Sequence, residues 1–163
     1  MGTKTTKLKL EKPYESDMAS INTINANMEI IDSLTHIVAS GTATSTKYHN
    51  QLDSPNGTVT WRYKKYDDGT YSATCNFSLT DLLCNAATGE AFWSGYIRVM
   101  TPNIGIASVH DCQIHVAGNC FNWVINITGT TVLNYVAFRL GSVFQESENI
   151  YKQIFIHLEG TWN

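Results

Sequence analysis

The feature that most constrains the fold is a change of hydrophobic period near residue 56. From there on, apolar residues recur at every second position, the spacing of a half-buried β-strand. Val59, Trp61 and Tyr63 share one face of "TVTWRYKKY", and Tyr71, Ala73, Cys75, Phe77 and Leu79 share one face of "TYSATCNFSL". Between these runs, Asp67-Asp68-Gly69 supplies the turn of a β-hairpin. Its first arm sets Arg62, Lys64 and Lys65 among aromatics. We expect Trp61 and Tyr63 to point inward and the Arg62 and Lys64 stems to cover the outer face. "TDLLCNAATGE" breaks the alternation, and "AFWSGYIRVM", "NIGIASVHDCQIHVA", "CFNWVINIT", "TVLNYVAFRL" and "YKQIFIHLEGTW" resume it. About seven or eight antiparallel strands over residues 56–163 predict an all-β head, sandwich-like or jelly-roll-like.

The N-terminal third has a different pattern. Residues 1–12 are a polar tail, followed by "SDMASINTINANMEIIDSLTHIV" with Ser16 or Asp17 as a helix cap. Ile21, Ile24, Met28, Ile31 and Val38 fall on a heptad stripe, with Thr35 at the remaining seam position. Such a stripe suits an amphipathic helix lying on its own domain, or a short parallel coiled coil. Isoleucine at both seam positions leans the coiled coil toward a trimer. "ASGTATST" then reads as linker. The expected organisation is a tail and helical stalk over 1–40, a linker over 41–55 and the head over 56–163.

Composition narrows the partners. Charged residues make up only 15% and the net charge is −3. Neither a nucleic acid nor an anionic membrane is therefore the expected partner. The lysines of "MGTKTTKLKLEKP" have no apolar run behind them, which argues against a secretory signal, and no stretch is long enough to span a bilayer. Cys75, Cys84, Cys112 and Cys120 form no Cys-x-x-Cys pair, so no zinc site is expected.

Little in the chain points to catalysis. In "HDCQIH" a strand puts His110 opposite Asp111 and His115, leaving Asp111, Gln113 and His115 as a polar row rather than a metal site. There is no nucleophile elbow or glycine-rich phosphate loop. The reading is of a protein that is not an enzyme, with no catalytic residue, metal or cofactor. Aromatic surface remains: four tryptophans and eight tyrosines are many for this length. Trp123 and Trp162 alternate in phase with core positions. Trp93, Tyr48, Tyr66 and Tyr151 are freer, and are the candidate glycan contacts.

Three segments carry a resemblance. "LKLEKPYESDMASINTINANMEIIDSL" resembles the leader of tail proteins from phages and prophages of Gram-positive bacteria, through Lys12-Pro13, Asn25, Asn27, Ile31 and Asp32. "GTVTWRYKKYDDGTYSA" is similar to that family's hairpin at Trp61, Tyr63, Lys65, Asp68, Gly69 and Thr70. "IFIHLEGTW" looks like its final strand through His157, Gly160 and Trp162. The chain departs from the pattern at Tyr66, where tryptophan is usual, and residues 80–150 match nothing in it.

The resemblance implies a virion structural protein of the tail tip, baseplate or a fibre, assembled in the bacterial host cytoplasm. It further implies a homotrimer with a β-sandwich head, contacts to other virion tail proteins, and a host cell-wall or surface polysaccharide as receptor. A capsid head-fibre or decoration protein, and a soluble carbohydrate-binding module, are the alternatives.

Overall fold

The computed structural model describes residues 36–49, 55–118, 122–126, 134–148 and 150–163. The chain divides into a unit of residues 1–36 and a second unit, Ile37–Asn163, which holds every strand described below. The strands are β1 (Ile37–His49), β2 (Thr58–Tyr66), β3 (Thr70–Leu79), β4 (Ala86–Thr88), β5 (Ala91–Trp93), β6 (Ile97–Met100), β7 (Ile106–Gly118), β8 (Asn122–Asn126), β9 (Tyr135–Ser142) and β10 (Lys152–Trp162). No helix occurs among the described residues, and all strand pairs are antiparallel.

The strands form one sheet in the order β4-β5-β9-β6-β1-β2-β3-β10-β7, with β8 on the remaining edge of β9. The sheet curls on itself. β1 carries it round the bend: Thr46 still pairs Thr58 of β2, whereas Lys47–His49 pair Ile97–Val99 of β6. Lys47 holds the corner, donating its backbone N–H to Gly57 O at 3.0 Å and its Nζ to Asn56 Oδ1 at 2.9 Å.

The curl brings the inward faces of both halves into one core. Trp61, Tyr71, Leu79, Ile154, Ile156 and Leu158 come from β2, β3 and β10; Ile97, Val99, Phe138 and Leu140 come from β6 and β9. Each such side chain contributes about 1.5–3 kcal/mol on burial. The hairpin meets its sequence expectation. Trp61 is fully buried and Tyr63 packs on the core, while Arg62 and Lys64 are exposed. Gly69 takes the turn at φ +83°, its N–H bonded to Tyr66 O at 3.2 Å, and Asp68 Oδ1 accepts from Thr70 N at 2.8 Å.

At that turn, Trp162 Nε1 donates to Tyr66 O at 3.1 Å and Lys65 Nζ lies 4.4 Å from the indole centroid. Gly160 is required beside it. The β7–β10 register slips between Glu159 and Gly160, leaving His110 unpaired as a bulge. The slip brings Ser108 O to within 1.9 Å of where a Cβ on Gly160 would sit. Gly160→Ala is therefore expected to lower stability by about 3 kcal/mol, the upper end of the range for overpacking. Chemical denaturation checks this, and a loss under 1 kcal/mol would mean the strands part freely there.

Several expectations change. The head begins at Ile37, not at residue 56, and residues 41–49 of the expected 41–55 linker lie in β1. Val38, expected on a helical seam, is a strand residue with 52% of its surface exposed. "ASGTATST" lacks an apolar alternation, but its threonines suit a strand once β2 offers backbone partners. The other seam positions, Ile21, Ile24, Met28, Ile31 and Thr35, lie outside the described residues. The count rises to ten strands among those described, because β1 joins the sheet, β4 forms in the stretch where alternation fails, and "AFWSGYIRVM" divides into β5 and β6.

Candidate functional site

The candidate site is the outer face of the β5-β6-β8-β9 half of the sheet. With Val136, Phe138 and Leu140 of β9 in the core, Tyr135, Ala137, Arg139 and Gly141 point the other way. Register extends this face to the neighbours. Arg98 lies between Tyr48 and Ala137, Ile125 lies opposite Arg139, and Gly141 is flanked by Trp93 on one side and Trp123 on the other.

Gly141 makes room for the Trp123 indole. A Cβ there would lie 2.4 Å from Cε2 of Trp123, so the ring rests on bare backbone. A bulge places the remaining ring. Trp93 pairs Gly141 and Ile97 pairs Phe138, so Ser94, Gly95 and Tyr96 face only two residues of β9. Ser94 closes the irregularity, its N–H donating to Leu140 O and its Oγ accepting from Leu140 N, both at 2.9 Å. The extra residue shifts the phase, and Trp93 and Tyr96 come to the same face despite their odd spacing.

Two arginines interleave with the rings. The Arg139 guanidinium lies 3.6 Å from the Tyr96 centroid and 5.8 Å from that of Trp93. The Arg98 guanidinium lies 4.6 Å from the Tyr135 centroid. Such contacts are worth about 0.5–2 kcal/mol each. Neither arginine has a carboxylate partner among the described residues, and the Nε of each is buried without an acceptor. Tyr96 and Trp123 remain 38% and 39% exposed, so the rings are accessible to a ligand. This is an open aromatic–arginine platform rather than a cavity.

Of the four candidate contacts read from the sequence, Tyr48 and Trp93 meet on this platform. The others lie elsewhere. Tyr66 is half-buried at the β2–β3 turn beneath Trp162, and Tyr151 packs its hydroxyl against Gln153 and Ser78. Trp123, expected in the core, is on the platform instead, and its neighbour Val124 packs on the core. Ala137 is on the outer face but buried. Arg98, Arg139 and Tyr96 were missed, since an isolated arginine in an apolar strand gives no periodic signal and the phase of Tyr96 depends on the bulge.

The rest of the surface offers less. Asp111, Gln113 and His115 form the expected row, opposite Glu159, His157 and Phe155, and Gln113 Nε2 donates to Asp111 Oδ2 at 2.8 Å. His157 Nε2 is 3.0 Å from Glu159 Oε1. A depression of about 490 Å³ runs over Arg62, Thr74, Phe155 and His157, lined by a mixture of polar and apolar side chains. No group of three or more metal-ligating residues forms among the described residues. Burial and the neighbouring Cys112 push the Cys75 thiol up to about 12; burial and Asp111 push Cys112 up to about 11, so neither is a poised nucleophile.

Comparison of the chain with protein-family models, with curated proteins and with solved structures finds no match.

Proposed function

We propose that the chain is a non-enzymatic, trimeric virion appendage of a phage tail, baseplate or fibre, and that its β-sandwich head binds a host cell-surface polysaccharide. The observation that carries the binding half of this reading is the pair of indoles flanking Gly141, with Tyr96 and two arginines beside them. Aromatic faces receive the apolar C–H faces of sugar rings, and adjacent guanidinium N–H groups donate to ring substituents. The leader, hairpin and closing-strand resemblances support the virion half. The stripe of Ile21, Ile24, Met28 and Ile31 supports a helical stalk that gathers three heads. Three weak sites on one particle would gain about 10²–10⁴ in avidity.

A second reading draws on the same residues. Tryptophan, tyrosine and arginine are also the residues that dominate protein–protein contacts, so the platform would instead cover a neighbouring subunit.

One experiment separates the two. The full chain is sized by light scattering, where a trimer gives three times the 18.2 kDa of one chain. It is then assayed for retention on Gram-positive cell-wall polysaccharide, alongside Trp123→Ala. We expect the variant to stay trimeric and lose retention at least about tenfold. A wild-type chain that retains no polysaccharide, or a variant that changes mass but not retention, overturns the glycan reading.

A further inference from the structure

We infer that the platform selects an acidic glycan, one bearing carboxylate or phosphodiester groups, over a neutral one. The inference rests on the platform being a glycan site and adds the chemical class of its ligand.

Both guanidinium groups lack a carboxylate partner among the described residues, in a chain with more acidic than basic side chains. An arginine kept on a partly buried face is ordinarily matched by an anion. Among the described residues π-faces meet it instead, Tyr96 and Trp93 for Arg139 and Tyr135 for Arg98. Ring stacking occupies the flat face of a guanidinium and leaves its edge N–H groups free in the plane. Those groups match a carboxylate or phosphate in bidentate geometry, forming charge-assisted bonds about twice as strong as those to a neutral hydroxyl.

The spacing fits a polymer. Arg98 is directly opposite Ala137, and Arg139 is two residues further along β9. The two arginines are therefore diagonal neighbours, with about 7–8 Å between them. Trp93 and Trp123 lie one further step along the same face, beside Gly141. A chain that presents an anionic group and then an apolar ring face satisfies both halves of the platform. Single-stranded nucleic acid also combines rings with phosphates, but it carries a charge at every nucleotide and calls for a continuous basic groove, where this face offers Arg98 and Arg139 among the described residues.

The test is a glycan array of neutral, uronate-bearing and phosphodiester-bearing polysaccharides, with oligogalacturonate beside its methyl ester and a poly(dT) control. The probes are the full chain, Arg98→Gln, Arg139→Gln and Arg139→Lys, each first shown to melt like the wild type. We expect binding to acidic glycans alone and a loss of about tenfold in each glutamine variant. Arg139→Lys, which keeps the charge without the fork, should fall between wild type and Arg139→Gln. The uronate and phosphodiester arms show which anion is used. Equal binding of neutral glycans, or glutamine variants that bind as wild type, overturns the acidic preference and leaves the glycan reading standing. Binding to poly(dT) alone, or to no glycan at all, overturns both.

Discussion

Replacing Lys152 with methionine is expected to lower the unfolding free energy by about 3–5 kcal/mol, the cost of leaving one half of a buried ion pair alone. Lys152 is fully buried, and its Nζ donates to Leu82 O at 2.9 Å and to Glu146 Oε2 at 2.8 Å. Glu146 is the hub of the group. Its Oε2 also accepts from Cys84 N at 2.8 Å, and its Oε1 accepts from Asn122 Nδ2 at 3.1 Å. The network ties the segment after β3, the start of β8, the segment after β9 and the first residue of β10. Removing the lysine leaves a buried carboxylate and a carbonyl without the donor they share.

The same network predicts a pH dependence. Burial pushes the Glu146 carboxyl up, but the bonds from Lys152, Cys84 and Asn122, with the lysine charge, outweigh it and hold the carboxyl below its ordinary value. A carboxyl that is more acidic in the folded state than in the unfolded chain stabilises the fold above the unfolded value of about 4.3. That stabilisation is lost as pH falls from there through the lowered folded value. Urea titrations from pH 7 down to pH 3 should show a decline in the wild type that is shallower in Glu146→Gln. A Lys152→Met protein within 1 kcal/mol of wild type at pH 7 would show that the pair carries little of the fold.

Trp61→Ala should cost a similar amount, about 3–5 kcal/mol, for a different reason. Trp61 has no exposed surface and faces the core from β2, opposite Cys75 of β3. It also joins the two halves of the curled sheet. Its Nε1 donates to Ser45 Oγ at 2.9 Å, and Ser45 Oγ donates to Met100 O at 2.6 Å, linking β2 through β1 to the end of β6. Alanine leaves a cavity and breaks that chain. Ser45→Ala, which removes only the polar link, should cost about 1 kcal/mol. If the two variants lose the same stability in guanidinium melts, the cavity contributes nothing and the packing argument fails.

The sequence was most informative where short-range physics decides the outcome. Period-two alternation identified β2, β3 and β10, because a strand with one face in the core must repeat every second residue. The Asp68-Gly69 turn was legible because only certain residues accept its backbone. Half of the aromatic candidates, Tyr48 and Trp93, also proved to share a face, but nothing local distinguished them from Tyr66 and Tyr151.

What only the tertiary structure decided depends on partners remote in sequence. β1 reads as linker until β2 and β6 supply its hydrogen bonds, because serine, threonine and glycine show no apolar phase of their own. The bulge at residues 94–96 is set by the register of β9, more than forty residues away, and it alone brings Tyr96 and Trp93 to one face. Trp123 alternates like a core residue, yet the bare backbone of Gly141 draws its ring to the outer surface. In each case the side chain's own preference is weaker than the pairing of backbones that places it, and that pairing is written in two distant segments at once.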